Sequence, residues 1–253
     1  MPTISIKILA LIPARGGSQR LPRKNIKLLG GLPLINWSIN TATKIQEICD
    51  VMVSTDDTEI AEIARRNGAL VPWLRPKNLA TESSSSVDVA IHALDWYERV
   101  RETVDGLLLL QPTSPFRSTI NVERGINLFK NHNFKPVVAV KASNSLTYSM
   151  KMGGEYLTPN LETIDLENSV HGQPKTFAVT GSFYLIAPND LRLNRKFTGS
   201  KTVPLMDDNP TENIDIDTEW DFKLAEIILN QSKSLPLIGK QETYSQNPPS
   251  QQG

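Results

Sequence analysis

The run Leu11-Ile12-Pro13-Ala14-Arg15-Gly16-Gly17-Ser18-Gln19-Arg20-Leu21-Pro22-Arg23-Lys24-Asn25 decides how this chain folds. An apolar stretch, Ile8 to Ile12, reads as a buried strand. It leads directly into a loop holding two glycines and the cations Arg15, Arg20, Arg23 and Lys24. Glycines let a backbone approach a phosphate and aim its N–H groups inward, and the cations supply the charge a triphosphate needs. A strand opening into a Gly-rich basic loop predicts a phosphate cradle in an α/β sheet. The spacing is neither G-x-x-x-x-G-K-[ST] nor G-x-G-x-x-G. A basic surface loop that happens to contain glycine is the plainer alternative.

The chain around this loop repeats one rhythm. Gly30-Gly31 makes a turn, and Ile35, Ile39 and Ala42 fall on one helical face. Val51 to Val53 is a short strand ending in Ser54-Thr55-Asp56-Asp57. Asp56 or Asp57 caps a helix from Thr58 to Asn67, and Gly68 stops it. Capping explains these acids better than a metal does. Pro76 forces an extended path that puts Arg75 in a loop. A polar run, Thr81 to Ser86, then opens a helix Val87 to Tyr97, with Ser86 as cap and Val87, Ala90, Ile91 and Leu94 inward. His92 lies off that stripe and reads as surface or packing. Strand–helix alternation of this kind predicts a mostly parallel sheet.

Gly106 to Leu110 is the strongest buried strand, apolar on both faces as in the middle of a parallel sheet. It ends at Gln111-Pro112-Thr113-Ser114-Pro115-Phe116-Arg117. Ligands bind beyond the carboxyl ends of such strands, so Gln111, a donor and an acceptor, sits at the mouth of a site. Ser118 caps the next helix and Val137 to Val140 is another strand. From about 141 to 180 the pattern weakens into a β-rich excursion, and Phe177 to Ile186 returns to the core. In Ile214-Asp215-Ile216-Asp217, alternation turns both carboxylates to one side of an extended chain. Asp215 and Asp217 then suit one Mg²⁺ or Mn²⁺ ion. The competing role for Asp217 is to cap the helix carrying Phe222, Leu224, Ile227 and Ile228. Residues 232–253 are polar and read as a disordered tail.

The totals bound the function. With 253 residues and 27 basic against 27 acidic side chains, the chain suits one α/β domain with an embellishment and argues against a nucleic-acid or membrane-surface binder. Cys49 is the single cysteine, so neither an intrachain disulfide nor a cysteine metal motif is expected. No run approaches the ~18 apolar residues of a membrane helix, and no signal peptide is legible. The cytoplasm is the default compartment.

Pro13-Ala14-Arg15-Gly16-Gly17-Ser18, Leu21-Pro22 and Lys24-Asn25 resemble the signature loop of the acylneuraminate cytidylyltransferases, the CMP-sialic acid synthetases. The resemblance runs from about residue 5 to 230. It extends through the Ser-Thr-Asp strand end, Arg75-Pro76, Gln111-Pro112-Thr113-Ser114-Pro115 and Ile214-Asp215-Ile216-Asp217-Thr218. It implies a Rossmann-like nucleotidyltransferase fold over 1–231, with an inserted dimerisation arm at about 141–180 and hence a homodimer. It implies transfer of CMP from CTP to the anomeric hydroxyl of a sialic-acid-like sugar acid, with release of pyrophosphate and with Mg²⁺ or Mn²⁺ on Asp215 and Asp217. Arg15, Lys24 and Asp217 become the catalytic candidates. Ala14, Arg15, Gly16, Gly17, Ser18, Lys24, Asn25, Arg75, Ser84 and Ser86 become nucleotide contacts, and Gln111 a sugar contact.

The sugar side departs from the family. Where sialic acid enzymes carry Arg-Pro-Asn-Gly, this chain has Ala178-Val179-Thr180-Gly181. Val170-His171 replaces an Arg-Gln pair, and Thr147-Tyr148-Ser149 replaces a Pro-x-Lys. Each lost cation removes a charge-assisted hydrogen bond worth ~1.5–3 kcal/mol. The departures point away from N-acetylneuraminate, towards a modified nonulosonic acid such as legionaminate or pseudaminate, or another sugar. Lys141, Lys175 and His171 are candidate replacements. Ketodeoxyoctulosonate cytidylyltransferases lack the Gly-Gly-Ser loop and match less well. A nucleotide-binding protein without catalysis is the alternative of another class, and a dehydrogenase is disfavoured by the missing glycine fingerprint.

Overall fold

The structure is a computed structural model and describes residues 6–143, 148–149, 158–159, 176–199, 201–207 and 209–234. The Gly-Gly-Ser loop follows strand β1 (Ile8–Pro13), whose first five residues are fully buried or nearly so. After a short 3-10 turn (Lys24–Ile26) the chain makes a hairpin, β2 (Leu28–Leu29) and β3 (Leu32–Pro33). Gly30 and Gly31 sit between them at φ 61° and 85°, a region that side chains disfavour. Then come α1 (Leu34–Ala42), β4 (Ile48–Ser54), α2 (Thr58–Arg66), α3 (Ser86–Val100), β5 (Gly106–Leu109), α4 (Thr119–Asn131) and β6 (Val137–Ser143). Two short strands, β7 (Tyr148–Ser149) and β8 (Thr158–Pro159), pair with each other. The chain closes with β9 (Thr176–Ile186), α5 (Pro188–Asn194), β10 (Val203–Met206) and α6 (Glu219–Ser234).

Six strands form one sheet in the order β10-β6-β9-β5-β1-β4. β1 is parallel to β4 and β5, and β10 is parallel to β6. β9 is antiparallel to both neighbours, so the sheet is mostly parallel with one reversed strand near its middle. Alternate residues of β1 feed two cores. Ile8, Ala10 and Ile12 pack with α1, α2 and α4, while Leu9 and Leu11 pack with α3 and α5. This is a sheet covered on both faces, which is why its central strands read as continuous apolar runs. The chain leaves β1 for β4 on one side and returns to β5 on the other. The strand order therefore reverses at β1, and a crevice opens beyond the carboxyl ends of β1 and β5.

The caps refine the sequence reading. Asp57, not Asp56, caps α2, accepting from Glu59 and Ile60 N–H. Ser118 caps α4 as expected. Ser85 rather than Ser86 caps α3, accepting from Val87 N–H. Val89, Ala90, Ala93, Leu94 and Tyr97 form the buried stripe of α3, so Val87 and Ile91 lie at its edge. On α6 the inward residues are Phe222, Ala225 and Leu229, which close a small core over the hairpin with Leu21, Leu29 and Leu34. Leu224 and Ile227 of the same helix are about half exposed. Lys141 to Ser143 pair with Thr176 to Ala178, so both ends of the expected excursion still belong to the main sheet. Positions 147, 170, 171 and 175, and residues 235–253 of the expected tail, lie outside the described residues.

Candidate active site

Beyond the ends of β1 and β5 lies a cleft of about 740 Å³, within the ~300–1,000 Å³ usual for small-ligand sites. The loop after β1 lines it with Arg15, Ser18, Gln19, Arg20, Lys24 and Asn25. Arg75, Thr81, Glu82, Ser84 and Ser86 come from the segment that leads into α3. Gln111 and Thr113 come from the loop after β5, and Asp215 and Asp217 from the approach to α6. Four separate stretches of sequence thus meet at one place.

The loop is shaped from below by the Asp56-Asp57 pair. The Asp56 carboxylate accepts Gly16 N–H at 3.0 Å. Asp57 crowds Gly16 so closely that a Cβ there would lie 2.7 Å from its Oδ2. Gly16 is therefore a glycine because an acid packs against it. The expectation that both glycine amides face a phosphate fails for Gly16, whose N–H is already committed to a carboxylate. Ala14 is fully buried and its N–H bonds to Ser54 carbonyl. Neither Ala14, Gly16 nor Gly17 lines the cleft. Asn25, also buried, ties the loop to itself by donating to Arg15 carbonyl at 2.9 Å.

The cations of the loop face carboxylates. Lys24 Nζ lies 2.7 Å from Asp217 Oδ1, and Arg20 approaches Asp217 Oδ2 at 3.7 Å. Arg15 lies 3.9 Å from Glu82, and Arg23 bridges Asp57 and Glu59 on α2. Arg75 is different, being buried beneath the cleft and donating to Ser54 Oγ and Ser54 carbonyl. Burial pulls its pKa down to about 10; Asp56 opposes this and the charge of Arg15 adds to it.

Around the acids the alternation read from sequence holds. Ile216 is buried and Ile214 packs on the same small core, while Asp215 and Asp217 line the cleft. The segment is an extended loop rather than a strand, held by Ile216 N–H donating to Thr113 carbonyl. Asp217 is not the cap of α6. Asp221 accepts from the N–H groups of Asp217 and Thr218, while Thr218 Oγ1 accepts from Asp221 N–H, a capping box. Partial burial in the cleft wall raises the Asp215 carboxyl; a hydrogen bond with Thr113 opposes this, and the charge of Asp217 adds to the rise. A cation shared with Asp217 would relieve both effects. Two carboxylates that line one cleft, Asp215 and Asp217, are hard oxygen donors of the kind Mg²⁺ or Mn²⁺ takes. Among the described residues no group of three or more His, Cys, Asp or Glu forms a fuller metal site.

On the opposite wall, Gln111 lies over Gly181 of β9, and a Cβ at Gly181 would sit 2.7 Å from Gln111 Oε1. Thr180, where the sialic acid pattern has Asn, turns into the sheet; its hydroxyl pairs with Ser182 Oγ at 2.9 Å. His92 packs its ring on Trp73 with centroids 4.5 Å apart. Thr113, Glu82 and Arg117 were not singled out from sequence. Thr113 lay inside the Gln-Pro-Thr-Ser-Pro run, which was the available signal for it. Nothing local distinguishes Glu82 from a solvated acid or Arg117 from a solvated cation.

A basic loop, a buried arginine and paired carboxylates meet around the switch point of an α/β sheet, the place where such sheets bind ligands. Residues 9–241 match the sequence model of the cytidylyltransferases, and the chain belongs to that family of nucleotidyltransferases. It is 37% identical over 227 residues to a CMP-N,N'-diacetyllegionaminic acid synthase of Legionella pneumophila, covering 88% of this chain and 97% of that protein. It is 30% identical to an N-acylneuraminate cytidylyltransferase of Escherichia coli over 90% of this chain, spanning about half, 53%, of that longer protein. Among solved structures, a CMP-2-keto-3-deoxy-manno-octonic acid synthetase complexed with CTP superposes with a TM-score of 0.65 at 17% identity. That match covers 89% of this chain and 99% of the other, and it shows the shared fold.

Proposed function

We propose that this protein transfers CMP from CTP to the anomeric hydroxyl of a nonulosonic acid and releases pyrophosphate. Its favoured sugar is N,N'-diacetyllegionaminic acid. The observation that carries this is the meeting of Arg15, Ser18, Lys24, Arg75, Gln111, Asp215 and Asp217 around one cleft in a chain of cytidylyltransferase sequence. The choice of sugar is supported by the 37% identity to the legionaminate enzyme along 97% of its length. The absence of the sialic acid Arg and Asn, replaced by Ala178 and Thr180, points the same way.

In this reaction the sugar oxygen attacks the α-phosphorus. The bond from that phosphorus to the bridging oxygen breaks, and the hydroxyl proton is lost. Positioning and electrostatics supply most of the rate. Arg15 and Lys24 hold the triphosphate and meet the charge that develops at the α-phosphate. Ser18, Asn25, Arg75, Ser84 and Ser86 place the nucleotide, and Gln111 reads the sugar. Asp215 and Asp217 would hold Mg²⁺ or Mn²⁺, which when bound neutralises phosphate charge and lowers the pKa of the attacking hydroxyl. Residues 1–231 form the working domain, residues at about 141–180 an arm for a homodimer, and the enzyme acts in the cytoplasm; the domain and the dimer rest on the family resemblance.

The test is pyrophosphate release with CTP, Mg²⁺ and, separately, N,N'-diacetyllegionaminate, pseudaminate and N-acetylneuraminate. Turnover is expected with the first, and is to be lost when EDTA removes the metal. Preference for N-acetylneuraminate would overturn the sugar assignment, and no pyrophosphate with any of them would overturn the activity. Light scattering on the purified chain tests the homodimer.

A further inference from the structure

Arg117 is 4% exposed, yet it carries a guanidinium into the protein beside the cleft. Its hydrogen-bond partners are neutral oxygens from three elements. Nε donates to Ser182 carbonyl on β9, Nη1 to Ser38 Oγ on α1 at 3.1 Å, and Nη2 to Gln111 carbonyl at 3.0 Å. Ser38 Oγ also reaches Gln111 carbonyl at 3.4 Å. Burial lowers the Arg117 pKa to about 10, with Glu212 and Asp207 pulling the other way. A buried cation is costly unless its donors are satisfied, so the places of these three oxygens are tightly specified. One of them belongs to the only reversed strand of the main sheet, and another to the residue at the mouth of the cleft.

The same junction shows a second constraint. Gly181, next to Ser182, has φ 82° and leaves room for the Gln111 carboxamide where it now lies; a Cβ there would meet Oε1 at 2.7 Å and make the side chain shift. The Gln111 backbone is thus tied to β9 through Arg117, while its side chain occupies the space that Gly181 leaves.

We propose that Arg117 and Gly181 are positioning residues for sugar recognition: Arg117 ties the Gln111 backbone to β9 and Gly181 leaves the space its carboxamide occupies at the cleft mouth, so that β9 sets which sugar acid is accepted. This rests on the proposal that Gln111 reads the sugar. Neither residue touches substrate in this scheme. A planar guanidinium is required because three divergent acceptors are served by one fork, which a lysine cannot do.

The experiment measures KM for N,N'-diacetyllegionaminate, kcat, and CTP affinity by calorimetry for Gln111→Ala, Gly181→Ala and Arg117→Lys, and for the last two in the Gln111→Ala background. Gly181→Ala and Arg117→Lys should each raise the sugar KM about tenfold, the loss of roughly one well-placed hydrogen bond, with CTP affinity unchanged within about twofold. In the Gln111→Ala background neither should add more than about twofold, because the group they position is gone. A general structural role would weaken CTP and sugar alike and persist in that background, which overturns the proposal. If Gln111→Ala raises the sugar KM while Gly181→Ala leaves it unchanged, the positioning scheme alone fails. If Gln111→Ala leaves it unchanged, the role of Gln111 fails and takes this proposal with it. Should Arg117→Lys not fold, the Gly181 and Gln111 pair decides.

Discussion

The two walls of the cleft are built on opposite principles. On the loop side, Lys24, Arg20 and Arg15 each face a carboxylate, and Arg20 is largely exposed. Exposed pairs of this kind contribute little to stability and exchange readily for a better anion. A triphosphate is such an anion, so this wall is a set of charges that a ligand can rearrange. On the Gln111 side, the charge is buried, its partners include two backbone carbonyls, and Gly181 leaves the space in which the Gln111 carboxamide lies. That wall is finished before any ligand arrives. On the proposed assignment, the phosphates would meet charges that can rearrange, whereas the sugar would meet groups already tied to β9.

The comparison can be broken most directly at Lys24. Lys24→Met should lower kcat about 100- to 1,000-fold, the usual cost of removing one preorganised charge from a transition state, as read by pyrophosphate release. A near-wild-type rate would make the loop a binding surface only. Salt should separate the walls next. Between about 0.05 and 0.5 M NaCl the KM for CTP should rise several-fold as exposed charges are screened, while the sugar KM moves much less. Equal changes would erase the distinction. A third test uses Asp215, whose raised carboxyl means that folding disfavours its charge. That cost is absent at low pH, where the group is protonated folded and unfolded, and appears as pH rises through the folded value. Asp215→Asn should therefore increase Tm at neutral pH, the gain vanishing below about pH 4, while activity falls. A lower Tm at neutral pH would show that the carboxylate stabilises the cleft. The smallest effect is expected at Ser118, which caps α4 away from the cleft lining. Ser118→Ala should cost ~1 kcal/mol in urea unfolding, with kcat and both KM values unchanged.

Much of the chemistry could be read in advance because it is local. The strand into the Gly-Gly-Ser loop, the apolar run before Gln111 and the Asp215/Asp217 alternation are each written in a few consecutive residues. Backbone periodicity converts such runs directly into placement. Ser118 as a cap was legible for the same reason. Ser85 against Ser86 was not, since in Ser83-Ser84-Ser85-Ser86 the cap is picked by where the helix docks.

Other features depend on partners distant in sequence. Gly16 looked like a phosphate glycine, and only the fold shows Asp56 taking its N–H and Asp57 filling its Cβ space, some 40 residues away. The reversed direction of β9 cannot be inferred from its own residues, because apolar strands buried on both faces look alike in either direction. Arg117 carries no local sign of burial; its place follows from Ser38, Gln111 and Ser182 converging on it. Residue order alone thus pointed to a mostly parallel sheet and to Arg15, Ser18, Lys24, Gln111, Asp215 and Asp217, which line its cleft. Tertiary packing decided which of those groups are already occupied and which are held rigid, because hydrogen bonding and desolvation depend on distance in space, not along the chain.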